Sequence, residues 1–283
     1  AKPLFHDVPT KIKQKGGFMK VIRADLPRNI EVLELHIFAD EHIGDEHSDI
    51  RRVMQRIEHV KNTPNAYCIL NGDIIDNATK TSIGDTYAQV FNPMEQLAKA
   101  VEIFEPIKDK VLCITHGNHE NRTYQKEGIN LSYLMAKQLG LDDRYTSTSA
   151  VLFIRVGETS GGRKETNGSG KKRQICYTLY ALHGSGGGRK EGAKAIRLAD
   201  MASIIDCDCY IHSHTHLPMI MKQAFHRIDE RNSAYAVVDK LFVNTAANLD
   251  YGGYGEAGEF KPSSKDTPVI YMRGSKKEMW AKL

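Results

Sequence analysis

The feature that most restricts how this chain can fold is a threefold alternation of apolar strand and amphipathic helix between Glu31 and Gly140. EVLELHIFAD reads as a strand, and the DEHSDIRRVMQRIEHVKN that follows places Ile50, Val53, Met54, Ile57 and Val60 on one helical face. AYCILNGD leads into a helix around FNPMEQLAKAVEIFEPI, and KVLCITHGNHE into a helix around INLSYLMAKQLG. Such alternation predicts parallel strands joined by crossover helices. Open α/β sheets of this kind collect their functional groups at the carboxyl ends of the strands.

The pattern changes after Asp143. SAVLFIRVGE and RQICYTLYALHG read as two strands joined by the Gly-rich, basic SGGRKETNGSGKK, which predicts a second sheet. RKEGAKAIRLADMASII reads as a helix, CDCYIHSHTH and KLFVNTAANLD as strands, YGGYGEAGEF as a loop, and TPVIYMR as a short final strand. Residues 1–30 are basic and broken by Pro3, Pro9, Pro27 and the pair Gly16 and Gly17. They are expected to be an extension or short edge elements, with the core domain occupying 31–283.

Composition removes whole classes of answer. Hydrophobic residues at 41% and charged residues at 26% exclude wholesale disorder and collagen-like structure. No run of about 18 apolar residues occurs, so no membrane span is expected. The N-terminal lysines lack the apolar stretch of a secretory signal, and five cysteines without a paired framework fit a reducing compartment; both predict a cytoplasmic protein. Cys207 and Cys209, two apart on a strand, are expected to share one buried face. The net charge of +4 is compatible with an anionic substrate and too mild to identify a nucleic-acid binder.

Polar clusters interrupt the apolar runs where strands end: Asp40 and His42; Gly72, Asp73 and Asp76; Gly117, Asn118 and His119; His183 and Gly184; His214 and His216. One such cluster alone is most simply a cap or a turn. Together they offer oxygen and imidazole donors suited to Mn, Fe, Zn or Ni, and a bound cation would offset the repulsion of bringing the carboxylates together. The glycines allow sharp turns beside these donors.

In order and spacing, DEH, GDIID, GNHE, HG and SHTH resemble the calcineurin-like metallophosphoesterase superfamily, whose pattern is DxH, GDxx[DN], GNH[DE], H and GHxH. The resemblance spans about residues 33 to 217. It implies a four-layer α/β/β/α sandwich of two mixed sheets flanked by helices. It also implies two divalent metal ions per chain, Mn first, with Fe, Zn or Ni as alternatives. Asp40, His42, Asp73 and His216 would hold one ion and Asp73, Asn118, His183 and His214 the other, with Asp73 bridging. The implied activity is a metal-dependent phosphoric ester hydrolase, in which a hydroxide between the metals attacks a phosphomonoester or phosphodiester in line. His119 would stabilise the phosphoryl group and protonate the leaving oxygen, with Asp76 as the partner that keeps it protonated. Ser213 departs from the usual Gly and would tighten the last turn or shift His214; a register using His212 and His214 is the weaker alternative.

Beyond these clusters, Arg122 behind GNHE and Arg189 and Lys190 before the RKEGAK helix are candidates for binding an anionic substrate. The basic loop at Lys171, Lys172 and Arg173 is a candidate polyanion contact, and Tyr251 and Tyr254 are candidates for a stacking wall. The remaining histidines, among them His36, His59, His116 and His212, are expected to be structural or surface residues. Two alternatives accompany the hydrolase: a nuclease of the same superfamily, with nucleic acid as its partner, and a catalytically silent interaction scaffold. Retention of every ligand-type residue argues against the scaffold. A protein phosphatase is disfavoured because Asn77, Ala78 and His116 stand where that branch typically carries Arg-Gly and Arg.

Overall fold

Strands on both sides of Asp143 carry apolar residues on two faces, and two sheets result, one buried against the other. The computed structural model describes residues 4–5, 19–80, 82, 86–159, 173–186 and 188–283, with Leu4, Phe5 and Tyr254 described by backbone alone. In chain order the strands are β1 (Leu4–Phe5), β2 (Met19–Asp25), β3 (Val32–Phe38), β4 (Ala66–Asn71), β5 (Val111–Thr115), β6 (Tyr145–Thr146), β7 (Ser149–Thr159), β8 (Arg173–Leu182), β9 (Cys209–His212), β10 (Met219–Asp229), β11 (Ala234–Asn244), β12 (Val269–Arg273) and β13 (Met279–Lys282). The helices are α1 (Ile50–Asn62), α2 (Pro93–Phe104), α3 (Asn118–Glu127), α4 (Leu131–Gln138), α5 (Glu191–Asp200) and the short α6 (Gly253–Ala257).

One sheet runs β13-β12-β3-β4-β5-β6 and the other β1-β2-β7-β8-β9-β11-β10. The β3 to β6 run is parallel, as the alternation requires, while β12 and β13 add antiparallel neighbours. In β3 the period of two sends Leu33, Leu35 and Ile37 between the sheets and Phe38 towards the helices. The inter-sheet core joins these to Leu152, Ile154, Leu179, Ile211 and Val243. A second core packs α1, α2 and α4 on the outer face of the six-stranded sheet, and a smaller one packs Leu198 of α5 on the other sheet. The result is two mixed sheets between helical layers. Among the described residues no helix is long and apolar enough to cross a membrane.

Several expectations change. The core opens before Glu31: β2 pairs in parallel with β7, and its Ile22 and Ala24 are buried between the sheets while Lys20 and Arg23 stay partly exposed. Basic residues on the outer face disguised a half-buried strand. In α1 the buried stripe is Val53, Ile57 and Val60, and Met54 lies 45% exposed. Cys207 and Cys209 are both buried but in different cores, because Cys207 precedes the strand. Helix α3 and strands β10 and β13 also stand where the sequence suggested none. Lys171, Lys172, the rest of the basic loop before Arg173, most of the N-terminal basic stretch and the Tyr254 side chain lie outside what is described.

Candidate metal centre

Each candidate ligand follows the end of a strand: Asp40 and His42 after β3, Asp73 after β4, Asn118 after β5, His183 after β8, His214 and His216 after β9. β3, β4 and β5 are parallel neighbours in one sheet, and β8 and β9 in the other, so their carboxyl ends meet at one place. To turn there, Asp40, His42, Asp73, His214 and His216 adopt φ of 54°, 47°, 50°, 65° and 54°. Side-chain-bearing residues rarely occupy this left-handed region, which costs on the order of 1 kcal/mol or more each, and such strain concentrates at functional sites. Gly72, at φ 80°, has no such penalty, and a Cβ there would lie 2.7 Å from the His183 ring.

Four of the donors, Asp40, His42, Asp73 and His183, are each aimed by a second contact. Asp40 Oδ2 accepts the His214 N–H at 3.0 Å and the Thr245 hydroxyl at 3.3 Å, which leaves Oδ1 facing His216 Nε2 at 3.2 Å. Asp73 Oδ1 accepts the His119 N–H at 2.8 Å, and its Oδ2 lies 3.1 Å from His183 Nε2. His183 Nδ1 donates to the Asn71 carbonyl at 2.7 Å, and His42 Nδ1 lies 3.2 Å from Asp76 Oδ1. Asn118 Oδ1 sits 3.0 Å from His183 Nε2 and 2.6 Å from His214 Nδ1. Two triplets thus form, Asp40, His42, His216 and Asp73, His183, His214, with donor atoms within 4.8 Å of one another in each.

The residues fit a cation. Among the described residues His42 Nε2 is buried with no hydrogen-bond partner, and buried Asp40 Oδ1 has the His216 ion-pair contact but no hydrogen bond; a buried polar atom left unpaired costs about 1–3 kcal/mol unless something binds there. Carboxylate oxygen, amide oxygen and imidazole nitrogen suit Mn, Fe or Zn. The electrostatics agree. Burial would push His42 and His183 down, but surrounding carboxylates prevail. Asp76, Asp73 and Asp40 hold His42 up at about 9, and Asp73 and Asp40 hold His183 at about 10. Burial works to raise Asp40, yet His216 and His183 keep it at about 2. His214, desolvated and beside charged His183, drops to about 4. Without cations, protons on two imidazoles offset the buried carboxylates.

Residues the motif pattern left unassigned hold this centre together. Glu120 is buried and accepts the N–H groups of Asp73, Ile74 and Ile75 at 3.1, 2.8 and 3.2 Å, clamping the turn that presents Asp73. Its place three residues after Gly117, in the first turn of a helix, was the available signal. Asn71 donates to the Leu182 carbonyl at 3.0 Å and to Ser213 Oγ at 2.8 Å, and accepts from Thr115 at 2.9 Å. Ser213 has ordinary backbone geometry, so this departure from Gly adds a buried hydrogen bond without strain. His212 is engaged by Asn244 at 2.9 Å and belongs to neither triplet.

His119 opens α3 with Nδ1 3.0 Å from Asp76 Oδ1 and 2.6 Å from the Asp76 carbonyl. Asp76 therefore serves both His119 and His42; burial works to raise its carboxyl, but bonds to these two imidazoles hold it well below the carboxylate range. Arg122 Nη2 can only donate and lies 2.9 Å from His119 Nε2, which accepts from it. Arg189 and Lys190 are exposed; Arg189 lies over the Phe260 ring at 5.2 Å, and among the described residues neither forms a hydrogen bond or ion pair to the seven ligand candidates. Tyr251 is 52% exposed.

Residues 37–218 match the family model described as calcineurin-like phosphoesterase. Among curated proteins none matches the chain. Similar solved structures include a metallophosphoesterase from Sphaerobacter thermophilus, at 11% identity and TM-score 0.37, covering 85% of this chain and 84% of that one. A Vps29 single mutant from Entamoeba histolytica has 12% identity and TM-score 0.37, covering 87% and 89%. A nuclease MPE from Pseudomonas putida has 12% identity and TM-score 0.33, covering 88% and 87%.

Proposed function

Since the chain belongs to the calcineurin-like phosphoesterase family, we propose that it is a binuclear metal-dependent hydrolase of a phosphomonoester or phosphodiester. The convergence of seven donor side chains at five strand ends, five of them on left-handed backbone, carries this assignment. Asp40, His42 and His216 would hold one divalent cation and Asn118, His183 and His214 the other, with Asp73 shared between them and Mn the first choice. When bound, the cations supply Lewis-acid polarisation of a phosphoryl oxygen and acidify water to near neutrality.

The protein's own groups handle charge and protons. The N-terminus of α3, whose His119 N–H is taken by Asp73, brings its positive dipole end to the site, favourable to a phosphoryl anion. Arg122 occupies His119 Nε2 in the free chain. An anionic ester draws the guanidinium to its oxygens, which frees Nε2 to take up a proton. Asp76 supports the resulting imidazolium, and the proton passes to the leaving oxygen.

The test is a chelator-stripped, Mn-reloaded chain assayed on p-nitrophenyl phosphate, its bis ester, and single- and double-stranded DNA at two salt concentrations. Metal-dependent hydrolysis that Asp73→Asn abolishes is expected, and a nucleic-acid substrate would show steep loss of binding with salt. A loaded chain inert toward every ester would leave the scaffold alternative standing.

A further inference from the structure

β3 carries a second set of metal-ligating side chains at the end opposite Asp40. Its alternation turns Glu34 and His36 to the helical side of the sheet, the side on which Phe38 packs. There they meet His59 from the last turn of α1. His59 Nε2 lies 3.0 Å and His36 Nε2 3.4 Å from the same oxygen, Glu34 Oε2, with the rings 5.0 Å apart. All three donor atoms fall within 4.8 Å of one another.

We propose that Glu34, His36 and His59 form a peripheral zinc site, separate from the strand-end centre and sharing no residue with it. Tetrahedral zinc with ligands at about 2.0–2.1 Å separates neighbouring donors by roughly 3.3 Å. The two nitrogen-to-oxygen distances bracket that spacing. As a hydrogen bond the His36 contact is long, since N–H···O bonds cluster near 2.9–3.0 Å, and both rings present the same nitrogen to a single oxygen. Two imidazoles and a carboxylate are a recurrent zinc donor set.

The charged group beside the cluster has partners of its own. Arg56 itself is committed elsewhere, to Glu41 at 2.6 Å and the Ile37 carbonyl at 2.5 Å, with its guanidinium 4.2 Å from the Phe38 ring centroid. Cys68, paired with His36 across the β3–β4 register, is pushed by burial to about 12 and supplies no thiolate. His59 is half exposed, which leaves the fourth coordination position open to water. A cation there clips the end of α1 to the strand that delivers Asp40 and His42.

The site is tested with the full chain, equilibrated in buffered free zinc and passed through gel filtration in the same medium. Zinc per chain is counted by elemental analysis for the wild type, His59→Ala and Glu34→Gln, and circular dichroism of the chelated proteins verifies folding. Each variant should bind one zinc fewer than the wild type and lose part of the zinc-dependent rise in melting temperature. His59 is half exposed, so its truncation leaves the core intact. A folded variant of either kind that carries as much zinc as the wild type overturns the proposal. Failure of the hydrolase assay does not affect it.

Discussion

The carboxylate of Asp73 accepts the backbone N–H of His119 at 2.8 Å, so the residue proposed to bridge two cations also caps the helix that presents the proposed proton donor. Asp73→Asn keeps an oxygen for the cap and loses the anionic Oδ2. It should fold normally, bind less metal and lose activity on the order of a hundredfold or more. Asp73→Ala should lose the cap as well, at about 1 kcal/mol of stability. Metal content, turnover and melting of the two variants separate these roles.

Glu120 accepts three backbone N–H groups in a buried place. Glu120→Gln turns an amide donor against one of them. Loss of a buried bond to a charged group costs about 2 kcal/mol or more, measurable by denaturant unfolding of the chelated protein. Metal affinity should fall with it, because the same turn presents Asp73.

His119→Ala should retain bound metal while losing about a hundredfold to ten-thousandfold in turnover on esters with poor leaving groups. The loss on p-nitrophenyl phosphate should be smaller, since that leaving group needs little protonation. Equal loss of metal would show that His119 serves the ligands instead.

The strand ends were legible because apolar runs stop abruptly at polar residues, and the donor types there were visible as letters. The strained backbone was not: Asp40, His42 and Asp73 look like ordinary turn residues, and their left-handed φ comes from tertiary packing. Helix α3 escaped notice because Glu120 is its one buried residue, leaving no apolar period to read. β10 escaped because most of its residues from Lys222 onward are exposed, which removes the alternation that marks a half-buried strand. Asn71 and Ser213 meet across 142 positions of sequence, and no local pattern announces such a bond.

Stability of the chelated chain should fall on the alkaline side. Carboxylates raise His42 from 6.5 to about 9 and His183 from 6.5 to about 10. Their contribution is complete below 6.5 and disappears as pH rises through those values. Asp40, lowered from 3.8 to about 2, and His214, lowered from 6.5 to about 4, act in the opposite sense and weaken the fold only on acidification. Melting temperature of the chelated protein should therefore drop between pH 6.5 and 9, and metal loading should remove most of that drop. Parallel melts of the two forms across this window check it.

The most direct measurement is an anomalous-scattering map from crystals of the manganese-loaded chain. It should show two peaks about 3.5–4 Å apart with Asp73 Oδ2 between them, one beside Asp40, His42 and His216 and one beside Asn118, His183 and His214. A single peak, or peaks that Asp73 does not touch, would contradict the binuclear account.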